Sequence, residues 1–400
     1  MNTMLWRGAI GLMAWLAGCF AATAQPSAPE LRHGPWGTLR VSSFWLRTPE
    51  TVIASAPLPD ASEWIFAGLS PADATALLTS VGLSLTELPH TVITPDDDAP
   101  TLAVQVPADL RRHLTARTRE VIYPILARSA FNPAHVTPFQ VPSDAQLERS
   151  QLAPALLSAL RELSFTVRGQ RLLVDADLLL PLATDADQRR LLLRLLHRYE
   201  ALRVELLRET LDQADAANTY WNPHGEDPLT PWLERFATSP QLESTDIGNL
   251  LPPLPRRLLH SFPDAANSPA DANCFWTSLN FFRRDPNDRL LPYQFEDDQS
   301  EATARAELAQ NYTPATPPYA FGDVWALFVR DTPDARPRLI HLAVHLADDL
   351  VLTKNGAGKI TPFMITRLSA VTGYYGWAQD LTVRVYRPRP GSPAMPAPAL

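Results

Sequence analysis

Of the 400 residues, 39 are proline, and that frequency constrains the fold more than any other feature. Each proline fixes φ and lacks the N–H that a helix interior or a central strand requires, so elements must be short and turns numerous. Hydrophobic residues at 46% against 20% charged still supply a globular core. The prolines crowd between 221 and 270, at Pro223, Pro228, Pro231, Pro240, Pro252, Pro253, Pro255, Pro263 and Pro269. That stretch reads as a turn-rich connection, and a domain boundary is expected at its end. Two domains are also what the length predicts, because one hydrophobic core rarely organises so long a chain.

Residues 1–24 have the form of a signal peptide. Arg7 supplies the positive start, and Ala9 to Gly18 form an apolar run too short to span a bilayer. Leu16-Ala17-Gly18-Cys19 resembles the lipobox of bacterial lipoproteins, which implies a lipidated Cys19 and the outer membrane as a partner through that lipid. The competing site, Ala22-Thr23-Ala24, implies plain secretion. The expected location is the bacterial cell envelope, the periplasm in the first instance, with secretion as the alternative. A net charge of −8 and a pI near 5.6 exclude nucleic acid as a partner, which would need a clustered cationic face.

Residues 25–265 are expected to form a mostly helical domain of unknown role. Ser70 caps a helix with Pro71 at its first position, Asp73 in its first turn and Gly82 as its stop. A second helical stretch at 107–128 is interrupted by Pro124, and a third begins at Pro154 and ends near Leu163. Apolar residues on both sides of Gly169 predict a hairpin. The longest helix is expected from Thr184 to about Asp212, with Leu192, Leu195, Leu196, Leu202, Leu206 and Leu207 as a core-facing stripe.

Chemistry concentrates in 266–387, with a Pro-rich, disordered tail expected at 388–400. Cys274 is the one cysteine beyond the leader. Asn273 before it is a natural N-cap, which places the thiol in a first helical turn, where N–H groups and the helix dipole lower a thiol pKa. A strand is expected at Val324–Val329 and a hairpin from Leu339–Leu346 and Leu350–Thr353. In that hairpin His341 and His345 share a face with Leu339 and Ala343, opposite Ile340, Leu342, Val344 and Leu346. The small Ala343 leaves room for a helix end to approach. His341 is the candidate base and His345 a half-buried structural residue. Tyr374-Tyr375-Gly376-Trp377 is expected in the core, with cleft lining as its alternative. Zinc binding by His341 and His345 is the third choice, because the spacing is strand-like and Leu342 stands where a zincin needs Glu.

Asn273-Cys274 at a helix start, Gly322-Asp323-Val324 before an apolar strand, and His341-Leu-Ala-Val-His-Leu-Ala-Asp-Asp-Leu-Val-Leu-Thr353 resemble, in order and spacing, the NlpC-like branch of papain-fold cysteine peptidases and amidases. The resemblance covers roughly the last third of the chain. It implies an α+β domain with a papain-like helix packed on an antiparallel sheet, Cys274 as nucleophile and His341 as base. Asp323 would be a turn-former. The third position, commonly His, Asn or Gln, falls on Thr353, with Asn355 as the alternative. The function implied is an envelope cysteine hydrolase cleaving an amide bond, with peptidoglycan stem peptides as the expected substrate and with no cofactor and no metal. The alternatives are a Cys-His acyltransferase and a non-catalytic envelope binding protein with a degenerate papain-like domain.

Overall fold

The computed structural model describes residues 29–392 except 55, 57, 59, 95–99, 129–131, 133–137, 209–218, 224–228, 240, 264–271, 283–296, 331–335 and 357–358. The expected signal peptide, Cys19, the end of the predicted long helix, the expected boundary at 265 and most of the predicted tail lie outside those residues. Pro388 of that tail ends a strand, and residues up to Ser392 form a turn. No described helix is long and apolar enough to cross a membrane.

The architecture is α+β, with antiparallel sheets throughout. The first half is not mostly helical. Its strands are β1 Glu30–Gly34, β2 Gly37–Leu46, β3 Glu63–Ile65, β4 His90–Ile93, β5 Thr101–Gln105, β6 Phe139–Gln140, β7 Phe165–Val167, β8 Gln170–Leu173, β9 Tyr199–Leu207 and β10 Ser244–Asp246. They form one four-stranded sheet, in the order β1-β2-β9-β10, and two of three strands.

The long helix is the main correction. It runs only over Ala186–Leu196, capped by Asp185, whose side chain accepts from Gln188 N–H. Leu202, Leu206 and Leu207 belong to β9, paired antiparallel to β2 from Tyr199 to Leu206. Between them stand Arg203 and Glu205, so the apolar period there is two; leucines alone suit either period. In 107–128 the break falls at Leu114–Thr115, between helices Ala108–His113 and Ala116–Leu126, and Pro124 sits inside the second. Other local expectations agree with the structure. Ser70 Oγ accepts from Asp73 N–H ahead of helix Pro71–Ser80, helix Pro154–Leu163 forms, and β7 turns into β8 at Arg168 and Gly169 with φ of 51° and 79°. Both values are positive, as a two-residue hairpin turn of this hand requires.

The remaining strands, β11 Tyr312–Pro314, β12 Val324–Val329, β13 Arg338–Ala347, β14 Leu350–Lys354, β15 Phe363–Arg367 and β16 Thr382–Pro388, make one six-stranded sheet in the order β11-β16-β12-β13-β14-β15. Helices Cys274–Leu279 and Asp297–Asn311 cover one face, packing Phe275, Leu279, Ala304 and Leu308 on Ala326, Phe328, Leu339 and Leu342. Helix Leu368–Gly376 covers the other, with Val371 on Leu327, Ala343 and Val351. Lower on the first face, Val344, Leu346, Leu350, Leu352 and Ile365 share a core with Leu39, Val41, Leu202, Val204 and Leu206 of the four-stranded sheet. Gly322 precedes β12 at φ +89°, and a Cβ there would stand 2.3 Å from the Phe282 ring, so glycine is required twice over.

Candidate functional site

The helix start that seats Cys274 forms as its sequence predicts. Asn273 Oδ1 accepts from Trp276 N–H at 2.9 Å, and helix Cys274–Leu279 starts at the cysteine. Its residues Cys274 to Leu279 are all buried, which roots the helix in the core. Cys274 itself is 4% exposed. Burial pushes its thiol up to about 11, against the backbone N–H of Leu342, the charge of Lys354 and the N–H groups of Phe275 and Cys274, all of which pull it down. The lowered pKa expected from the helix start therefore does not arise: the dipole is present, but loss of water outweighs it.

His341 is fully buried, and burial pulls its imidazole down to about 3. Its Nε2 lies 2.8 Å from Thr353 Oγ1, and Thr353 Oγ1 donates to Asn355 Oδ1 at 3.4 Å. With the hydroxyl proton directed at Asn355, Thr353 accepts from His341, so Nε2 carries the ring hydrogen and Nδ1 presents a bare lone pair. Both candidates for the third position thus lie in one hydrogen-bond chain, Thr353 against the imidazole and Asn355 against Thr353. Nδ1 is buried and has no hydrogen-bond partner.

The two halves approach from different sides of the sheet. His341 is opposite Leu327 across β12 and β13, on the face that Val371 covers, whereas Leu342 is opposite Ala326 on the face that holds Cys274. The expectation that the histidine face receives the Cys274 helix is corrected: the helix packs on the Leu342 face. The extra residue is Ile340, since Leu327 pairs with His341 and Phe328 with Leu339. One link between thiol and imidazole is the chain itself; another is Tyr375, which stacks on the imidazole and whose hydroxyl feels the Cys274 thiol. The backbone N–H that meets the sulfur belongs to Leu342, the residue after His341. No hydrogen bond joins Cys274 to His341, whose nitrogens are accounted for by Thr353 and by the unpartnered Nδ1.

Tyr375 covers the imidazole. Its ring stacks on His341 at 4.3 Å between centroids and 28° between planes. The tyrosine hydroxyl is buried near the Gly356 N–H without a well-formed hydrogen bond. Trp377, by contrast, is core, edge-on to Phe165. Sequence reasoning had no means to separate the two, because nothing local distinguishes a tyrosine over a histidine from one in a core. It also passed over Lys354, which is fully buried, donates to Gly356 O at 3.0 Å and Thr361 Oγ1 at 2.9 Å, and brings a positive charge toward the thiol.

The neighbouring polar residues are structural. Trp325 Nε1 donates to His345 Nδ1 at 3.4 Å, and burial lowers His345 to about 4. Asp323 accepts from Ala320 N–H and from Arg387 Nε and Nη2, which ties the turn before β12 to β16 and fits its expected role. His341 and His345 lie on a strand, so helical zinc spacing is absent, and the described residues hold no group of three His, Cys, Asp or Glu suited to a metal. A small apolar cavity beside the Cys274 helix is lined by Leu254, Pro255, Leu258, Trp276, Thr277, Leu352 and Phe363, and reaches neither Cys274 nor His341. No known protein family matches the chain, and neither do the curated proteins or the solved structures compared with it.

Proposed function

We propose that the C-terminal sheet carries a cysteine hydrolase site of NlpC-like, papain-fold type, held in a closed and uncharged form, in an exported envelope protein whose substrate is an amide such as a peptidoglycan stem peptide. The observation that carries the reading is the state of His341. It is oriented through Nε2 by Thr353 and Asn355, while Nδ1 is left bare and buried beside the strand segment whose N–H meets the Cys274 sulfur. A base held by one nitrogen and free at the other is what a nucleophile–base–orienter arrangement requires.

In the reaction, His341 Nδ1 would take the Cys274 proton, and the sulfur would attack the amide carbonyl. The same proton would then pass to the leaving amine, and water would release the acyl group from sulfur; an amine or hydroxyl in place of water gives acyl transfer. The decisive experiment digests purified cell-wall peptides with the mature protein and with Cys274→Ala. New amines formed by the wild type alone support the reading, and identical digests remove it for that substrate.

A second reading, a non-catalytic envelope binding protein with a degenerate papain-like domain, is favoured by the burial of both groups and the absence of a direct bond between them. Native protein that releases no amine from any amide tested, with Cys274 labelled only after denaturation, would select it.

A further inference from the structure

We propose that Tyr375 is the gate and positioning residue of this site: its ring stacks on the imidazole of His341, its hydroxyl end reaches toward the Cys274 thiol, and it must swing off before an amide can reach the pair. The inference rests on the hydrolase reading, and three features of the structure carry it.

The first is the stack itself. His341 is fully buried, whereas Tyr375, 4.3 Å above it, keeps part of its surface in solvent, so the tyrosine ring is a layer between the imidazole and water. The second is how lightly the supporting helix is held. Leu368–Gly376 has no side-chain cap at Arg367, contains Gly373 in its middle, and fully buries only Val371 and Gly376, with Leu368 and Tyr375 partly buried against Leu327, Ala343 and Val351. An uncapped, glycine-containing helix with one fully buried apolar side chain and two partly buried ones belongs to the less stable end of a fold. Trp377, 3% exposed in the core, anchors the chain just past it, so the helix can lift without losing its C-terminal attachment. The third is what the ring closes against. Its hydroxyl lies by Gly356 N–H with no well-formed hydrogen bond, so no strong polar latch opposes opening. Gly356, at φ +79°, follows Asn355, the last member of the Thr353–Asn355 chain that orients His341. The tyrosine thus touches both the base and the segment that positions it.

The test uses the mature full chain with Tyr375→Ala, Tyr375→Leu and Tyr375→Phe, each checked by circular dichroism and melting temperature. Native labelling of Cys274 by iodoacetamide is followed from pH 6 to 10, alongside amine release from cell-wall peptides. Tyr375→Ala should label at least about tenfold faster than wild type, with its pH midpoint moved down as water and the imidazole gain access to the thiol. Tyr375→Phe keeps the stack and should label like wild type. Tyr375→Leu fills the space without an aromatic face, and serves in place of Ala if Ala fails to fold. Labelling of Ala and Leu at the wild-type rate, or of Phe as fast as Ala, overturns the gate. Faster labelling with no Cys274-dependent amine release supports the gate and sinks the hydrolase. Amine release that depends on Cys274 while labelling ignores Tyr375 does the reverse.

Discussion

Thr353 holds the His341 imidazole with a hydroxyl, which can do so because it both accepts and donates. It receives His341 Nε2–H and forwards its own proton to Asn355. Thr353→Val keeps the shape and removes the acceptor, leaving a buried N–H unpaired. The expected loss is about 1–3 kcal/mol of stability, read from urea unfolding, and a midpoint equal to wild type would show that the hydrogen bond contributes nothing. A larger loss is expected at Asp175, which is fully buried and accepts from Arg119 Nε at 3.1 Å, Arg111 Nη1 at 3.3 Å and Tyr123 Oη at 2.6 Å. Asp175→Asn keeps the volume but strips the charge that neutralises Arg119, itself fully buried. Breaking a buried pair from one side costs about 3–5 kcal/mol, so this variant should melt well below wild type. An Asn variant as stable as wild type would mean that the arginines are compensated elsewhere.

At the scale of elements, helix Cys274–Leu279 is so short that its cap matters. Asn273→Ala removes the bond to Trp276 N–H and should cost about 1 kcal/mol, whereas Asn273→Ser should retain most of the stability. Equal stability of Ala and Ser by urea unfolding would deny the cap its role. That cap was legible in the sequence, as were Ser70, helix Pro154–Leu163, strand Val324–Val329 and the hairpin carrying His341, because each depends on neighbours within a few residues. The Leu192–Leu207 stripe misled because leucine serves both periods; only Arg203 and Glu205, alternating with Leu202, Val204 and Leu206, mark the strand. The candidate residues could be ordered from spacing, but two of their properties could not. Strand alternation sorts His341 from Leu342 without saying which helix covers which face, and here the Cys274 helix took the Leu342 face. The thiol's pKa followed from burial, which is set by Leu339, Leu342 and Phe275 closing around it, and not from the helix start that the sequence displays.

For the whole molecule, the shared core matters most. Leu39, Val41, Leu202, Val204 and Leu206 pack with Phe281, Val344 and Leu352, so the region before 265 is cemented to the sheet that carries His341. A common core predicts that unfolding is cooperative across both parts, and that a group buried in either reports on the stability of all. Histidines make this measurable. Burial holds His341 down to about 3, and His345 and His197 to about 4. In the unfolded chain each returns to about 6.5. The folded state therefore binds fewer protons than the unfolded state between those values. The stability these groups contribute is complete above about pH 6.5 and is lost as pH falls toward 4 and then 3, each histidine steepening the loss by about 1.4 kcal/mol per pH unit. Carboxylates in ion pairs lose stability over part of the same range, so the wild-type profile alone does not isolate the effect; a variant does. His197 sits outside the C-terminal sheet, edge-on to Phe139 at 5.1 Å, with its Nε2 buried and unpartnered. His197→Leu should lower the slope of unfolding free energy against pH, between about 6 and 4, by one proton's worth, about 1.4 kcal/mol per unit. It should do so whether unfolding is followed by Trp fluorescence or by Cys274 labelling. Parallel profiles for wild type and variant would mean that His197 titrates normally in the folded protein, and a change seen by one probe alone would mean that the two parts do not unfold together.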